Sequence, residues 1–261
     1  IGIFFFFLGG LSVLDQISLF LLSENLVSVA DSNFALFCPK SAEVIRASAF
    51  KIMNFLIANH DSKLMVVACN TATAACIKEM REKYIIPIVG MEPAVKPAIK
   101  ASKEKRIGIL ATEGTLKSAK FSALLEHHDG EYHFYTQPCV GLVELIEKGE
   151  INTPEIRELV SNYLAPLKHH NVDVIVLGCT HYFYIKNIVE EYFKEPVKVI
   201  DTGAAVAKQV LNTLKKHNLL NNKKDKNPLI YSNSSSNINK VIERLIPINN
   251  DQLLFSKDFD I

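Results

Sequence analysis

Two tripeptides hold the residues best suited to chemistry. Cys69-Asn70-Thr71 and Cys179-Thr180-His181 each place a thiol ahead of small hydrogen-bonding side chains. Each follows a short apolar run, VVA at 66–68 and VLG at 176–178. A thiol just past a buried strand, where a helix begins, meets unpaired backbone N–H groups and a dipole that favours negative charge. Those surroundings lower a thiol's pKa, and a neighbouring imidazolium lowers it further. His181, two residues after Cys179, is placed for that role. Two thiols on opposite faces of a bound amino acid would remove a proton from one side and return one from the other, which is racemisation without a cofactor. A single thiol with a His base would instead suggest acyl transfer. The paired arrangement favours the first chemistry.

The elements that must position these thiols repeat along the chain. Apolar runs rich in β-branched residues occur at 1–4, 26–29, 64–68, 86–89, 107–110, 174–177 and 197–200. Continuous rather than alternating apolar character predicts strands covered on both faces, as in a parallel sheet. Helical stretches lie between them. Within 43–58, Ile45, Ala49, Ile52 and Leu56 mark one buried face, and within 204–217 Val206, Val210 and Leu214 do the same. Strands alternating with helices imply an α/β fold with right-handed crossovers. IGI at 1–3 recurs at 107–109, VVACNT at 66–71 parallels VLGCTH at 176–181, and IPIVG at 86–90 parallels VKVID at 197–201. The offsets of 106, 110 and 111 residues are nearly constant, so the chain reads as two similar halves. The expected division is 1–95 plus 206–261 for the first α/β domain and 96–205 for the second, with the last helix returning to the first half.

Composition narrows the function classes. The chain has 261 residues, 48% of them apolar, with 29 Lys and Arg against 28 Asp and Glu, a net charge of +1. Near-neutral balance argues against a basic nucleic-acid binder. IFFFFL at 3–8 and ISLFLL at 17–22 are interrupted by Gly9, Gly10, Asp15 and Gln16, too soon for a membrane-spanning helix. The five cysteines, without a CxxC pair, suit a reducing compartment and the cytoplasm. Cys76 is expected in a core, and Cys38 and Cys139 lack the polar followers of the other two. A zinc site made of Cys69, Cys179 and His181 has no obvious fourth ligand, so no metal is expected. His127, His128, His169 and His170 lie in polar stretches and are expected at the surface. Gly9-Gly10 lacks the spacing of a phosphate loop and reads as a strand-to-helix turn.

VVACNTATA at 66–74, IVGMEPA at 88–94, ATEGT at 111–115, LGCTHY at 177–182 and IDTGAA at 200–205 together resemble the glutamate racemases, which supply D-glutamate for bacterial peptidoglycan. The resemblance covers roughly 1–205. It implies an α/β fold of two pseudo-symmetric, doubly wound, mostly parallel-sheet domains with the active site in the cleft between them. It implies no cofactor, glutamate as the small-molecule partner, and neither nucleic acid nor membrane; a homodimer is left open. It assigns Cys69 and Cys179 as the catalytic thiols, His181 as the aid to Cys179, and Glu147, in VELIEKG at 143–149, as the acid near that His. Glu147 reads equally well as an exposed helix charge. Asn70, Thr71, Thr115 and Thr180 fall on substrate-contacting positions, as do Phe37 and Cys38.

The departures from the family pattern cluster in the first half. The usual I-G-I-F-D-S-G-V-G-G is here IGIFFFFLGG, so Phe5, Phe6 and Phe7 stand in place of the Asp that aids the first thiol, a substrate-binding Ser and a Gly. Leu36-Phe37-Cys38 replaces P-Y-G, and Phe183 replaces the Pro after the second Cys motif. Phe side chains aimed at Cys69 would dry the thiol and raise its pKa. The alternatives are a racemase of another amino acid such as aspartate, and a homologue that binds a ligand or protein without turnover.

Overall fold

Apolar runs that do not alternate become strands covered by helices on both faces. The chain is described by a computed structural model over residues 1–6, 8–31, 41–128, 130–193, 196–222, 228–232 and the strand 254–256. It begins with β1 (Gly2–Phe5), α1 (Gly9–Phe20), β2 (Val27–Ala30), α2 (Ala42–His60), β3 (Met65–Val67), α3 (Asn70–Lys83) and β4 (Ile88–Gly90). β1 and β3 are buried along their whole length. The stripe Ile45, Ala49, Ile52 and Leu56 of α2 is buried, in one cluster with Phe4, Val29, Met65, Val67 and Met80.

The middle of the chain repeats this plan with α4 (Val95–Ala101), β5 (Arg106–Ala111), α5 (Glu113–Leu116), α6 (Ala119–Glu126), β6 (His133–Pro138), α7 (Leu142–Glu147), α8 (Pro154–His169) and β7 (Val174–Leu177). A 3₁₀ helix (Thr180–Ile185), α9 (Lys186–Tyr192) and β8 (Lys198–Ile200) complete it. α10 (Gly203–Lys216), β9 (Leu229–Ser232) and β10 (Leu254–Ser256) follow.

The chain divides into two compact units, Ile1–Met91 with Gly203–Ile261, and Glu92–Thr202. These boundaries lie a few residues ahead of the expected 95/96 and 205/206. α4 packs against β7 and so starts the second unit, while α10 packs on α1 from Gly203 onward. The first unit holds a sheet in the order β10-β9-β2-β1-β3-β4, the second a sheet in the order β6-β5-β7-β8. All their pairings are parallel.

The two sheets share more than strand order. Gly2 pairs with Met65, and Met65 with Ile88. Gly108 pairs with Ile175, and Ile175 with Val199. The three positions differ by 106, 110 and 111 residues, the offsets of the sequence repeat. A one-residue slip in any of these pairings would turn a strand inside out, so the match fixes side-chain direction in both units alike.

Candidate active site

In both units the chain leaves the central pair of strands in opposite directions, β1 towards β2 and β3 towards β4, β5 towards β6 and β7 towards β8. Such a switch point opens a crevice at the carboxyl ends of the strands, where ligands bind in open α/β sheets. One hydrogen bond marks that edge in each unit. The Ala68 N–H donates to the Phe4 carbonyl at 2.8 Å, and the Gly178 N–H donates to the Leu110 carbonyl at 2.7 Å. The next residue in each case is a cysteine, Cys69 or Cys179.

Cys69 is the N-cap of α3, and its sulfur accepts the Ala72 N–H at 3.4 Å. Burial pushes this thiol up, while the Ala72 and Thr71 N–H groups and the Thr71 hydroxyl pull it down. Those donors are all neutral. Asn70, the first residue of α3, is 4% exposed, and neither its Oδ1 nor its Nδ2 has a partner among the described residues. A buried amide left this way costs about 1–3 kcal/mol. Its cost is removed by a ligand that both donates and accepts.

Phe5 does not fill the space beside Cys69. Its ring lies on α1, where a Cβ added to Gly10 would fall 2.0 Å from the Phe5 Cβ and Cγ. Phe6 is half-buried, edge-on to Phe4 with ring centroids 5.1 Å apart. Phe6 and Cys69 both pack on the rim of the α2–α3 core. Burial raises the pKa of the Cys69 thiol; Phe6 packs on the same core, and Phe5 lies on the α1 side. Phe7, Phe37 and Cys38 lie outside the described residues.

The second unit gives its cysteine different company. Cys179 Sγ lies 3.6 Å from Nδ1 of His181, and Nε2 of His181 makes a short contact with Oε1 of Glu147. The three residues are 9%, 7% and 8% exposed. Glu147 is thus a buried partner of His181 rather than an exposed helix charge. A thiol, an imidazole and a carboxylate in line form the nucleophile–base–orienter pattern, which moves a proton on and off sulfur while the carboxylate holds the ring. Thr180, first residue of the 3₁₀ helix, is buried, and so is Thr115, whose Oγ1 lies 3.1 Å from that of Thr112. Thr112, which sequence reasoning missed, caps α5 by accepting the Thr115 N–H; its T-x-x-T spacing is the signal that was available.

Cys76 and Cys139 sit in the two cores, and burial pushes each up to about 12. Cys69, Cys76, Cys139 and Cys179 are all thiols rather than disulfides. His127, His169 and His170 are exposed and His128 is half-buried. Among the described residues no three His, Cys, Asp or Glu side chains gather as metal ligands. Phe183 is 37% exposed and stands edge-on to Tyr184.

The model of the Asp/Glu/hydantoin racemase family matches residues 23–210. A glutamate racemase of Ectopseudomonas mendocina (strain ymp) is 48% identical over 221 residues, covering 84% of this chain and 84% of that protein. The crystal structure of glutamate racemase isoform RacE1 from Bacillus anthracis is similar with a TM-score of 0.88 at 26% identity, over 98% of this chain and 95% of that one. The Escherichia coli glutamate racemase, in complex with L-glutamate and the activator UDP-MurNAc-ala, is similar with a TM-score of 0.82 at 26% identity, over 97% of each chain.

Proposed function

The chain belongs to the Asp/Glu/hydantoin racemase family, and from that premise we propose that it interconverts L- and D-glutamate by exchange of the α-proton between Cys69 and Cys179. The observation that carries this reading is the repeated position of the two thiols, each one residue past the same inter-strand hydrogen bond of its own sheet. The names of the relatives supply the substrate.

One thiolate removes the α-hydrogen of the bound amino acid as a proton. The electron pair stays on Cα and spreads into the α-carboxylate. The other thiol gives its proton to the opposite face, and the two sulfurs have exchanged protonation states. The reverse turnover restores them. His181, steadied by Glu147, relays the charge of Cys179. Asn70, Thr71, Thr115 and Thr180 hold the carboxylates and ammonium group of the substrate, and Phe37 and Cys38 fall on substrate-contacting positions. The chemistry uses the chain's own thiols and calls on no cofactor. The product feeds peptidoglycan synthesis, and the setting is the cytoplasm, in keeping with four cysteines held as thiols. No described helix is long and apolar enough to cross a membrane. Light scattering decides between a monomer and a homodimer.

The test is deuterium exchange at Cα of each enantiomer in D₂O, followed by proton NMR. Exchange with inversion, lost in Cys69→Ser and in Cys179→Ser, supports the reading. Undiminished racemisation by Cys69→Ser overturns it. Inversion of aspartate but not glutamate favours the altered-substrate alternative.

A further inference from the structure

We infer that Tyr182 is a positioning residue for the contact between Glu147 and His181, acting through the backbone that launches α7. The inference rests on the relay assigned above.

α7 has six residues and ends on Glu147. A helix this short has almost no stability of its own, so its direction is set by whatever grips its two ends. At the far end, the Glu147 carboxylate meets Nε2 of His181. At the near end, Cys139-Val140-Gly141 enters the helix under three constraints. The Cys139 N–H donates to the Ala111 carbonyl at the end of β5, at 3.0 Å. The Tyr182 hydroxyl donates to the Cys139 carbonyl at 3.4 Å. The Tyr163 hydroxyl, from α8, donates to the Val140 carbonyl. Gly141 then turns the chain with φ +84°, a left-handed conformation that disfavours side chains.

His181 and Tyr182 are consecutive, so a single dipeptide holds both ends of α7. Any shift of the 3₁₀ helix moves both grips together and keeps the carboxylate on the imidazole. The Tyr182 ring is fully buried in the core of the second unit. Packing explains the ring; Cys139, through its carbonyl and its thiol, explains the direction of the Tyr182 hydroxyl. A hydroxyl buried in such a core without a use would cost stability relative to Phe.

The experiment is a double-mutant cycle of Tyr182→Phe and Glu147→Gln on the whole chain, reading kcat and KM for both glutamate enantiomers. It is accompanied by the downfield imidazole N–H resonance of His181. Tyr182→Phe is expected to lower kcat about three- to tenfold, the worth of one neutral hydrogen bond, with KM unchanged and the imidazole proton displaced. In the Glu147→Gln background the same change is expected to have no further effect. Tyr163→Phe, on the half-buried side of the clamp, should show the same dependence on Glu147. Wild-type kcat with an unmoved resonance, or losses that multiply in the double variant, overturns the inference. Wild-type kcat in Glu147→Gln overturns the relay itself, and the inference with it.

Discussion

The ring of Phe5 lies on the backbone of Gly10, so close that a methyl group at position 10 has no room. β1 and the first turn of α1 are thereby locked at one point, and the phenylalanine run faces two ways. Phe4 enters the α2–α3 core, while Phe5 turns to the α1 side.

Gly10→Ala should therefore destabilise the protein by about 1–3 kcal/mol, the usual cost of overpacking. Urea denaturation measures it. Phe5→Ala removes the ring but keeps the Cβ that the added methyl group also strikes, so the loss caused by Gly10→Ala should be smaller in a Phe5→Ala background but still present. An unaltered midpoint for Gly10→Ala would mean that Phe5 does not occupy this place.

Asn70 gives a prediction in which stability and binding diverge. Its buried amide makes no hydrogen bond among the described residues. Asn70→Ala should leave the thermal midpoint unchanged or raised, while KM for glutamate rises about tenfold or more. A fall in stability without a change in KM would make Asn70 a packing residue.

His181→Asn tests the relay. Loss of a positioned acid–base partner lowers rate by about 10²–10⁴-fold. Racemisation has an equilibrium constant of unity, so kcat/KM must fall by one factor for both enantiomers, although His181 stands beside Cys179. Unequal losses at initial rate would show that a second reaction contributes to the assay.

Cys76 and Cys139 contribute to the loss of stability at alkaline pH. Unfolded thiols ionise near 9.0, whereas both are held near 12 in the folded chain. The unfolded chain therefore sheds its protons first. The stability from burying these neutral thiols is complete below pH 9 and lost as pH rises towards 12, at about 1.4 kcal/mol per pH unit for each thiol. The free energy of unfolding, followed by urea denaturation from about pH 8 to about pH 11, should fall as pH rises. Cys76→Ala, compared with its own value at the low end of that range, should make the fall shallower.

The sequence exposes some of this arrangement because parallel strands buried on both faces carry an undiluted apolar signal. All seven apolar runs overlap a strand, and the buried faces of α2 and α10 contain the residues their spacing selects. β6 was hidden because it is an edge strand, with His133 and Gln137 among half-exposed neighbours and a Pro at its end. β9 was hidden because LIYS is only four residues long and lies between polar stretches at 220–227 and 232–237. The contact of Glu147 with His181 spans 34 residues, and no local pattern encodes it; only the motif resemblance suggested it. The direction of Phe5 was equally out of reach, since four consecutive phenylalanines give no periodicity from which to assign a face.

The division of the chain has a consequence for its synthesis. All four strands of the second unit come from one continuous stretch, complete once Ile200 has been made. The first unit begins earlier but needs α10 against α1 and β9 beside β2, both encoded after that point. On the ribosome, then, the unit that starts second is the one able to finish first. Until α10 emerges, Leu11, Leu14 and Ile17 of α1 belong to a helix whose natural cover does not yet exist. The nascent chain has most need of a chaperone in that interval.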